Sequence, residues 1–218
     1  MHINTYIDHT ILKPVTLVKE IEQLCHEAKQ YYFAAVCVPP PFVPTAKQLL
    51  QNSDIKIATV IGFPFGYSAI EAKIAELLLA IADGADELDI VANLLAIKNA
   101  DWQYLANEIN HIMPIAKQKQ KTVKIIIESG VLTDDEIIKC CHLYAPAGID
   151  FLKTSTGYAE KGATVHAVQL MRKNLPAGVQ IKASGGIRSY AFAKELIEAG
   201  ASRIGCSTGV AITREAIQ

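Results

Sequence analysis

The chain has 218 residues, half of them hydrophobic, and carries 21 basic against 22 acidic side chains, a net charge of −1. That is enough apolar material for one sizeable core, and a near-neutral balance without a basic block argues against nucleic acid or an anionic membrane as a partner. No run approaches the roughly 18 uncharged apolar residues of a membrane span, and Asp8, His9 and Lys13 interrupt the first segment where a secretory leader would need its apolar stretch. The five cysteines, odd in number and without metal-knuckle spacing, read as reduced thiols of a cytoplasmic protein.

In chain order, strands are predicted near Thr5–Asp8, Phe33–Val38, Lys56–Gly62, Glu87–Val91, Val123–Glu128, Asp150–Lys153, Val179–Ala183 and Arg203–Cys206. Between them, apolar residues recur at three- and four-residue steps, predicting helices over Leu17–Gln30, Ala69–Ala82, Trp102–Lys119, Asp134–Tyr144, Val165–Lys173 and Ala191–Ala199. Gly84, Gly148 and Gly200 mark helix ends, Asp134 and Ser189 mark helix starts, and Pro39–Pro41 belong to a loop. Strands alternating with helices predict an α/β fold, a single (β/α)8 TIM barrel over residues 1–218, with an open doubly wound sheet as the alternative. The absence of G-x-G-x-x-G after the first strand and of G-x-x-x-x-G-K disfavours nucleotide-binding versions.

In such a barrel the residues at the strand ends share one face, where active sites sit. Ile149–Tyr158 delivers Lys153 from an apolar strand into a run of small hydroxylated residues, and Gln180–Arg188 delivers Lys182 in the same way. Two ammonium groups at one barrel mouth repel, and a fall of about 3 units from the ordinary lysine pKa leaves a neutral amine able to attack a carbonyl. A plain salt bridge of Lys182 to Asp89 or Glu128 is an equally open reading of the spacing alone. Asp89, alternating with Leu88 and Ile90, faces the same side as Glu87 and Val91 and can partner Lys182 or relay a proton. Asp8 and Thr10 lie at the end of the first strand, and Cys37 at the end of the second is either a packed small residue or a thiol near the site.

Ser184-Gly-Gly-Ile-Arg188 and Gly205-Cys-Ser-Thr-Gly209 each open a helix, and exposed backbone N–H groups there suit an anion. As a pair after the seventh and eighth strands they favour a phosphate site over simple bends. The six histidines show no H-x-H or H-E-x-x-H spacing, so no metal is expected. Two lysines without metal ligands favour an iminium over a metal ion as the electron sink.

These motifs resemble the deoxyribose-phosphate aldolases almost end to end: Ile7-Asp-His-Thr-Ile-Leu-Lys-Pro14, Ala35-Val-Cys-Val38, Val60-Ile-Gly-Phe-Pro64, Ala85-Asp-Glu-Leu-Asp-Ile-Val91, Lys124-Ile-Ile-Ile-Glu128, Phe151-Leu-Lys-Thr-Ser-Thr-Gly157 and Ile181-Lys-Ala-Ser-Gly-Gly-Ile-Arg188. The resemblance implies reversible retro-aldol cleavage of 2-deoxy-D-ribose 5-phosphate into D-glyceraldehyde 3-phosphate and acetaldehyde, without cofactor or metal. It implies Lys153 as the Schiff-base lysine, Lys182 as the cation that depresses its pKa, and Asp89 in proton transfer with support from Asp8. Gly157, Gly185, Gly186 and Ser207 match phosphate-holding positions. Against the pattern, Tyr158 stands where certain relatives have lysine, Leu94-Leu95 where a pair containing glycine is common, and Cys206 where threonine is typical. The expected partner is a small phosphorylated sugar, and a homodimer is compatible with a small barrel. A phosphosugar isomerase or epimerase, or a phosphosugar-binding protein without chemistry, are the alternatives that borohydride trapping would separate.

Overall fold

The structure is a computed structural model and describes residues 2–217. Eight parallel strands close on one another: β1 (Ile7–Thr10), β2 (Ala35–Val38), β3 (Lys56–Ile61), β4 (Glu87–Val91), β5 (Thr122–Ile126), β6 (Phe151–Lys153), β7 (Gln180–Ser184) and β8 (Arg203–Cys206), with β8 pairing back to β1. Around them lie α1 (Val18–Tyr31), α2 (Val43–Leu49), α3 (Ile70–Asp83), α4 (Leu94–Lys98), α5 (Trp102–Gln118), α6 (Asp134–Tyr144), α7 (Val165–Asn174), α8 (Tyr190–Glu198) and α9 (Gly209–Glu215). This is the (β/α)8 barrel that the alternation predicts. The open sheet is excluded by the β1–β8 register, which pairs Asp8 with Gly205 and His9 with Cys206.

Several boundaries differ from the sequence reading. The first strand begins at Ile7, because Ile3–Tyr6 form a 3-10 turn that Asn4 ties to the Tyr31 carbonyl at 3.1 Å. Thr10 is therefore a strand residue, in register with Cys37. Pro40–Phe42 form a second 3-10 turn that runs into α2, whose Pro44 sits in the first helical turn where a missing N–H costs nothing. The five residues of α4 are too few to show a periodicity, and the helix is announced instead by Asn93, whose side chain caps the Ala96 N–H at 3.1 Å. The cap of α6 is Thr133, one residue before the expected Asp134, in a capping box closed by Glu136.

The large apolar core lies between barrel and helices, with Val36, Ile57, Leu88, Ile125, Leu152 and Ile204 turned outward onto Leu24, Leu77, Ile109 and Leu196. Burial of each such side chain contributes roughly 1.5–3 kcal/mol, so this outer shell supplies the fold's stability. Inside the barrel, among the described residues, a small apolar cluster of Cys37, Ala58 and Val60 is flanked by Leu12 and Phe63. Beside it lies an ionic layer packed around the Phe151 ring.

Outside the barrel, α3 clamps the ends of the two strands that support the site. Buried Lys73 donates to the Val91 carbonyl at 2.8 Å and pairs with Glu108 at 2.6 Å, and Glu76 accepts the Gly62 N–H at 2.6 Å. Gly62 is required here: its φ is +63°, and a Cβ would sit 2.8 Å from the Lys73 side chain.

Candidate active site

Alternation turns Asp8 of β1, Glu87 and Asp89 of β4, Lys124 of β5, Lys153 of β6, Lys182 of β7 and Arg203 of β8 into the barrel. Asp89 lies at the centre. Its Oδ1 accepts from Lys124 at 2.7 Å, and its Oδ2 accepts from Lys153 at 2.7 Å and from Lys182 at 2.8 Å. Lys182 also pairs with Asp8 at 2.5 Å, Lys124 pairs with Glu87 at 2.5 Å, and Arg203 bridges Asp8 and Glu87. Phe151 carries Lys124 and Arg203 over its ring at 5.8 and 5.7 Å.

Register explains the grouping. Asp89 is the direct partner of Lys124 across β4 and β5, Lys153 of Lys182 across β6 and β7, and Lys182 of Arg203 across β7 and β8. The network thus holds three carboxylates and four basic groups, one positive charge too many for a buried cluster if all are ionised. Burial costs an unbalanced charge heavily, so one base is under pressure to give up its proton.

The electrostatics single out Lys153. Burial lowers its pKa and the Lys182 charge lowers it further, and together they outweigh the attraction of Asp89. Lys182 is equally buried, but Asp8 and Asp89 overcome that cost and hold it well above the ordinary lysine range. Burial likewise opposes the charged form of Lys124, and Asp89 and Glu87 overcome it. For Asp8 and Asp89 burial opposes ionisation, yet the surrounding cations hold both carboxyls far below the usual range. A neutral Lys153 can still donate an N–H to Asp89 while keeping its lone pair free.

A cavity of about 830 Å³ opens above the network, and Lys153 is the member of the ionic cluster that lines it. Thr10 also lines it, whereas Asp8, Asp89 and Lys182 lie beneath its floor, fully buried. Cys37 is fully buried in the small inner cluster, off the cavity wall, and burial pushes its thiol up. Cys206 lines the cavity, with its thiol pushed up to about 12 by burial.

Gly157, Gly185, Gly186 and Ser207 line the same cavity, as do Lys19, Glu20, Gln23, Leu24 and Glu27 of α1. Gly185 has φ +87°, and a Cβ there would meet Gly162 Cα at 3.0 Å and Ser155 Cβ at 3.3 Å. The loop after β6 is stitched to the turn after β7: Ser184 Oγ donates to the Ser155 carbonyl at 2.6 Å, and the Ala163 N–H donates to the Ser184 and Gly185 carbonyls at 3.1 Å. Glu128, itself at φ +52°, accepts the Thr156 N–H and hydroxyl, which fixes the chain three residues past Lys153. Among the described residues, no three His, Cys, Asp or Glu side chains gather as a metal site.

Lys124, Glu87 and Arg203 lie outside the expected site, and Glu128, a possible partner of Lys182 in the sequence, clamps Thr156 while Lys182 pairs with Asp8 and Asp89. A signal for Lys124 existed, since it interrupts the apolar run Val123–Ile127 as Lys153 interrupts its own strand. Arg203 opens its strand after Ala201-Ser202, and nothing local separates it from a surface arginine.

The sequence profile of the DeoC/LacD family aldolases matches residues 3–218. The chain belongs to this family. It is a lyase of the Schiff-base, metal-independent class. The deoxyribose-phosphate aldolase of Streptococcus suis is 50% identical over 212 residues, 97% of this chain and 96% of that one. That of Thermococcus gammatolerans is 49% identical over 218 residues, 99% of this chain and 97% of that one. The solved deoxyribose phosphate aldolase of Aeropyrum pernix, described as a unique tetrameric structure, superposes with a TM-score of 0.92 at 31% identity, covering 99% of this chain and 91% of that one. No described helix is long and apolar enough to cross a membrane.

Proposed function

We propose that this aldolase cleaves 2-deoxy-D-ribose 5-phosphate reversibly to D-glyceraldehyde 3-phosphate and acetaldehyde, serving the breakdown of deoxyribose phosphates, with Lys153 as the Schiff-base lysine. The observation that carries the reading is the convergence on Lys153 of surplus positive charge, a lowered pKa and access to the cavity. Its amine adds to the substrate aldehyde and water leaves. A base acting through water takes the proton of the substrate's C3 hydroxyl as the carbon–carbon bond breaks, and the protonated iminium accepts the electron pair released. Glyceraldehyde phosphate departs, the enamine left on Lys153 takes up a proton, and hydrolysis frees acetaldehyde.

Lys182 serves as the fixed cation that disfavours a second ammonium beside it. Asp89 has both oxygens engaged in the resting site, and we assign it proton transfer with Lys182 through a bound water. Asp8 holds Lys182, while Thr10 faces the substrate from the cavity wall and Cys37 packs against the ionic layer. The substrate phosphate is assigned to Gly157, Gly185, Gly186 and Ser207, which line the cavity and belong to glycine-containing turns of the kind that suit an anion.

Borohydride reduction in acetaldehyde tests the assignment. The chain should gain the mass of one ethyl group on Lys153, and Lys153→Ala should lose that adduct together with cleavage. Cleavage surviving the substitution refutes the role of Lys153. Turnover of deoxyribose 5-phosphate measured beside ribose 5-phosphate fixes the substrate. The proposal includes one barrel domain over the whole chain, a cytoplasmic setting in keeping with five unpaired, buried cysteines, and a homodimer. A monomer mass by light scattering would remove the dimer.

A further inference from the structure

Tyr158 stands five residues beyond Lys153 and is pinned at three points. Its backbone N–H donates to Thr156 Oγ1 at 3.0 Å, its hydroxyl donates to the Leu12 carbonyl at 2.8 Å, and its ring meets Phe63 edge-on with centroids 5.3 Å apart. On one side of it lies the cavity of about 830 Å³ that holds Lys153 and the glycine turns. On the other lies a second cavity of about 430 Å³, walled by Pro39, Pro40, Phe42, Val60, Phe63 and Pro64. Leu12, Lys13, Pro14 and Tyr158 line both, so these four residues form the partition. Tyr158 is the bulkiest of them, and it comes from the loop that leaves Lys153.

The second cavity reaches the depth of the chemistry. Val60 in its wall is the register partner of Asp89 and packs with Cys37 and Ala58 inside the barrel, against which Phe63 and Leu12 also rest. Its polar liners are few, and one of them, Glu76, is occupied by the Gly62 N–H. Lys13 lies on the partition, and the deeper wall of Pro39, Pro40, Phe42, Val60, Phe63 and Pro64 suits a hydrocarbon tail.

We propose that Tyr158 is a specificity-determining residue: it confines the acceptor aldehyde to the phosphate-holding cavity, and shortening it joins the apolar cavity to the site and admits aldehydes with hydrocarbon tails. The inference rests on the Schiff-base reading above. In the synthetic direction the Lys153 enamine of acetaldehyde attacks the acceptor's carbonyl carbon, and the carbonyl oxygen takes a proton as the carbon–carbon bond forms. The water lost in forming the Schiff base is then regained by hydrolysis of the iminium. That step releases a 3-hydroxyaldehyde and restores the amine.

The test compares the full chain with Tyr158→Ala in the addition of acetaldehyde to 3-phenylpropanal and to D-glyceraldehyde 3-phosphate. For 3-phenylpropanal kcat/KM should rise at least about tenfold, the worth of a methylene or more seated in an apolar pocket, with no gain for the phosphorylated acceptor. No gain with either acceptor, or an equal gain with both, overturns the proposal. Tyr158→Val keeps an apolar contact for Phe63 and is held to the same criteria if the alanine variant does not fold. Borohydride trapping of acetaldehyde is run alongside. A trapped adduct in the variant without the acceptor gain defeats the partition alone, whereas no adduct in the native chain defeats the Schiff-base reading.

Discussion

Lys153 and Lys182 are bonded to one and the same oxygen, Oδ2 of Asp89, at 2.7 and 2.8 Å, so their nitrogens lie within the sum of those distances of each other. The shared carboxylate does not make the two lysines equivalent. Among the described residues Lys182 has a second acidic partner in Asp8, whereas Lys153 has its share of Asp89 alone. Burial therefore falls on Lys153 with less compensation, which makes it the nucleophile of the pair.

Removing the Lys182 charge should restore the proton to Lys153. In Lys182→Met the repulsion that lowers the Lys153 pKa is gone and Asp89 has one cation fewer to satisfy, so both changes favour the Lys153 ammonium. The acid limb of the pH profile of kcat/KM should move to higher pH by at least about one unit. At neutral pH activity should fall by about tenfold for each unit of that shift. An unshifted limb would show that Lys182 does not tune Lys153.

Lys124 should matter first for stability. It neutralises Glu87 and Asp89 at 2.5 and 2.7 Å with no exposure of its own, so Lys124→Met leaves buried carboxylates short of a cation. A loss of about 3–5 kcal/mol in urea unfolding is expected, the cost of breaking a buried pair on one side only. Adding Glu87→Gln removes one stranded charge and should recover part of that loss. No recovery would mean that packing over Phe151, and not charge, sets the cost.

Gly185→Ala should separate binding from chemistry. The new methyl meets the Gly162 backbone at 3.0 Å with φ held at +87°, and so displaces the turn assigned to the phosphate while leaving the ionic network beneath it. KM for deoxyribose 5-phosphate should rise about tenfold or more with a smaller change in kcat, and cleavage of unphosphorylated deoxyribose should hardly change. Gly186→Ala, with open space around its Cβ, carries only the strain of φ +77°, about 1–2 kcal/mol, and should be the milder variant. Equal losses on both substrates would remove the phosphate from this turn.

The chain's own pattern determined the barrel, because eight apolar runs alternating with amphipathic helices leave few ways to cover both faces of a parallel sheet. It also determined that Lys153 ends its strand, since it follows apolar residues and precedes small ones, whereas Lys182 lies in the middle of β7 and not at its end. Short elements escaped it: α4 is held by a single Asn93 cap, and a stripe of five residues has no period to read. Only the tertiary structure decided who partners whom. Barrel closure brings β8 against β1 and sets Arg203 beside Asp8, 195 residues away in sequence, while the β4–β5 register hands Asp89 to Lys124. The division of labour between the two lysines follows from that distribution of countercharge, which depends on distances of a few ångströms across strands and leaves no trace along any one of them.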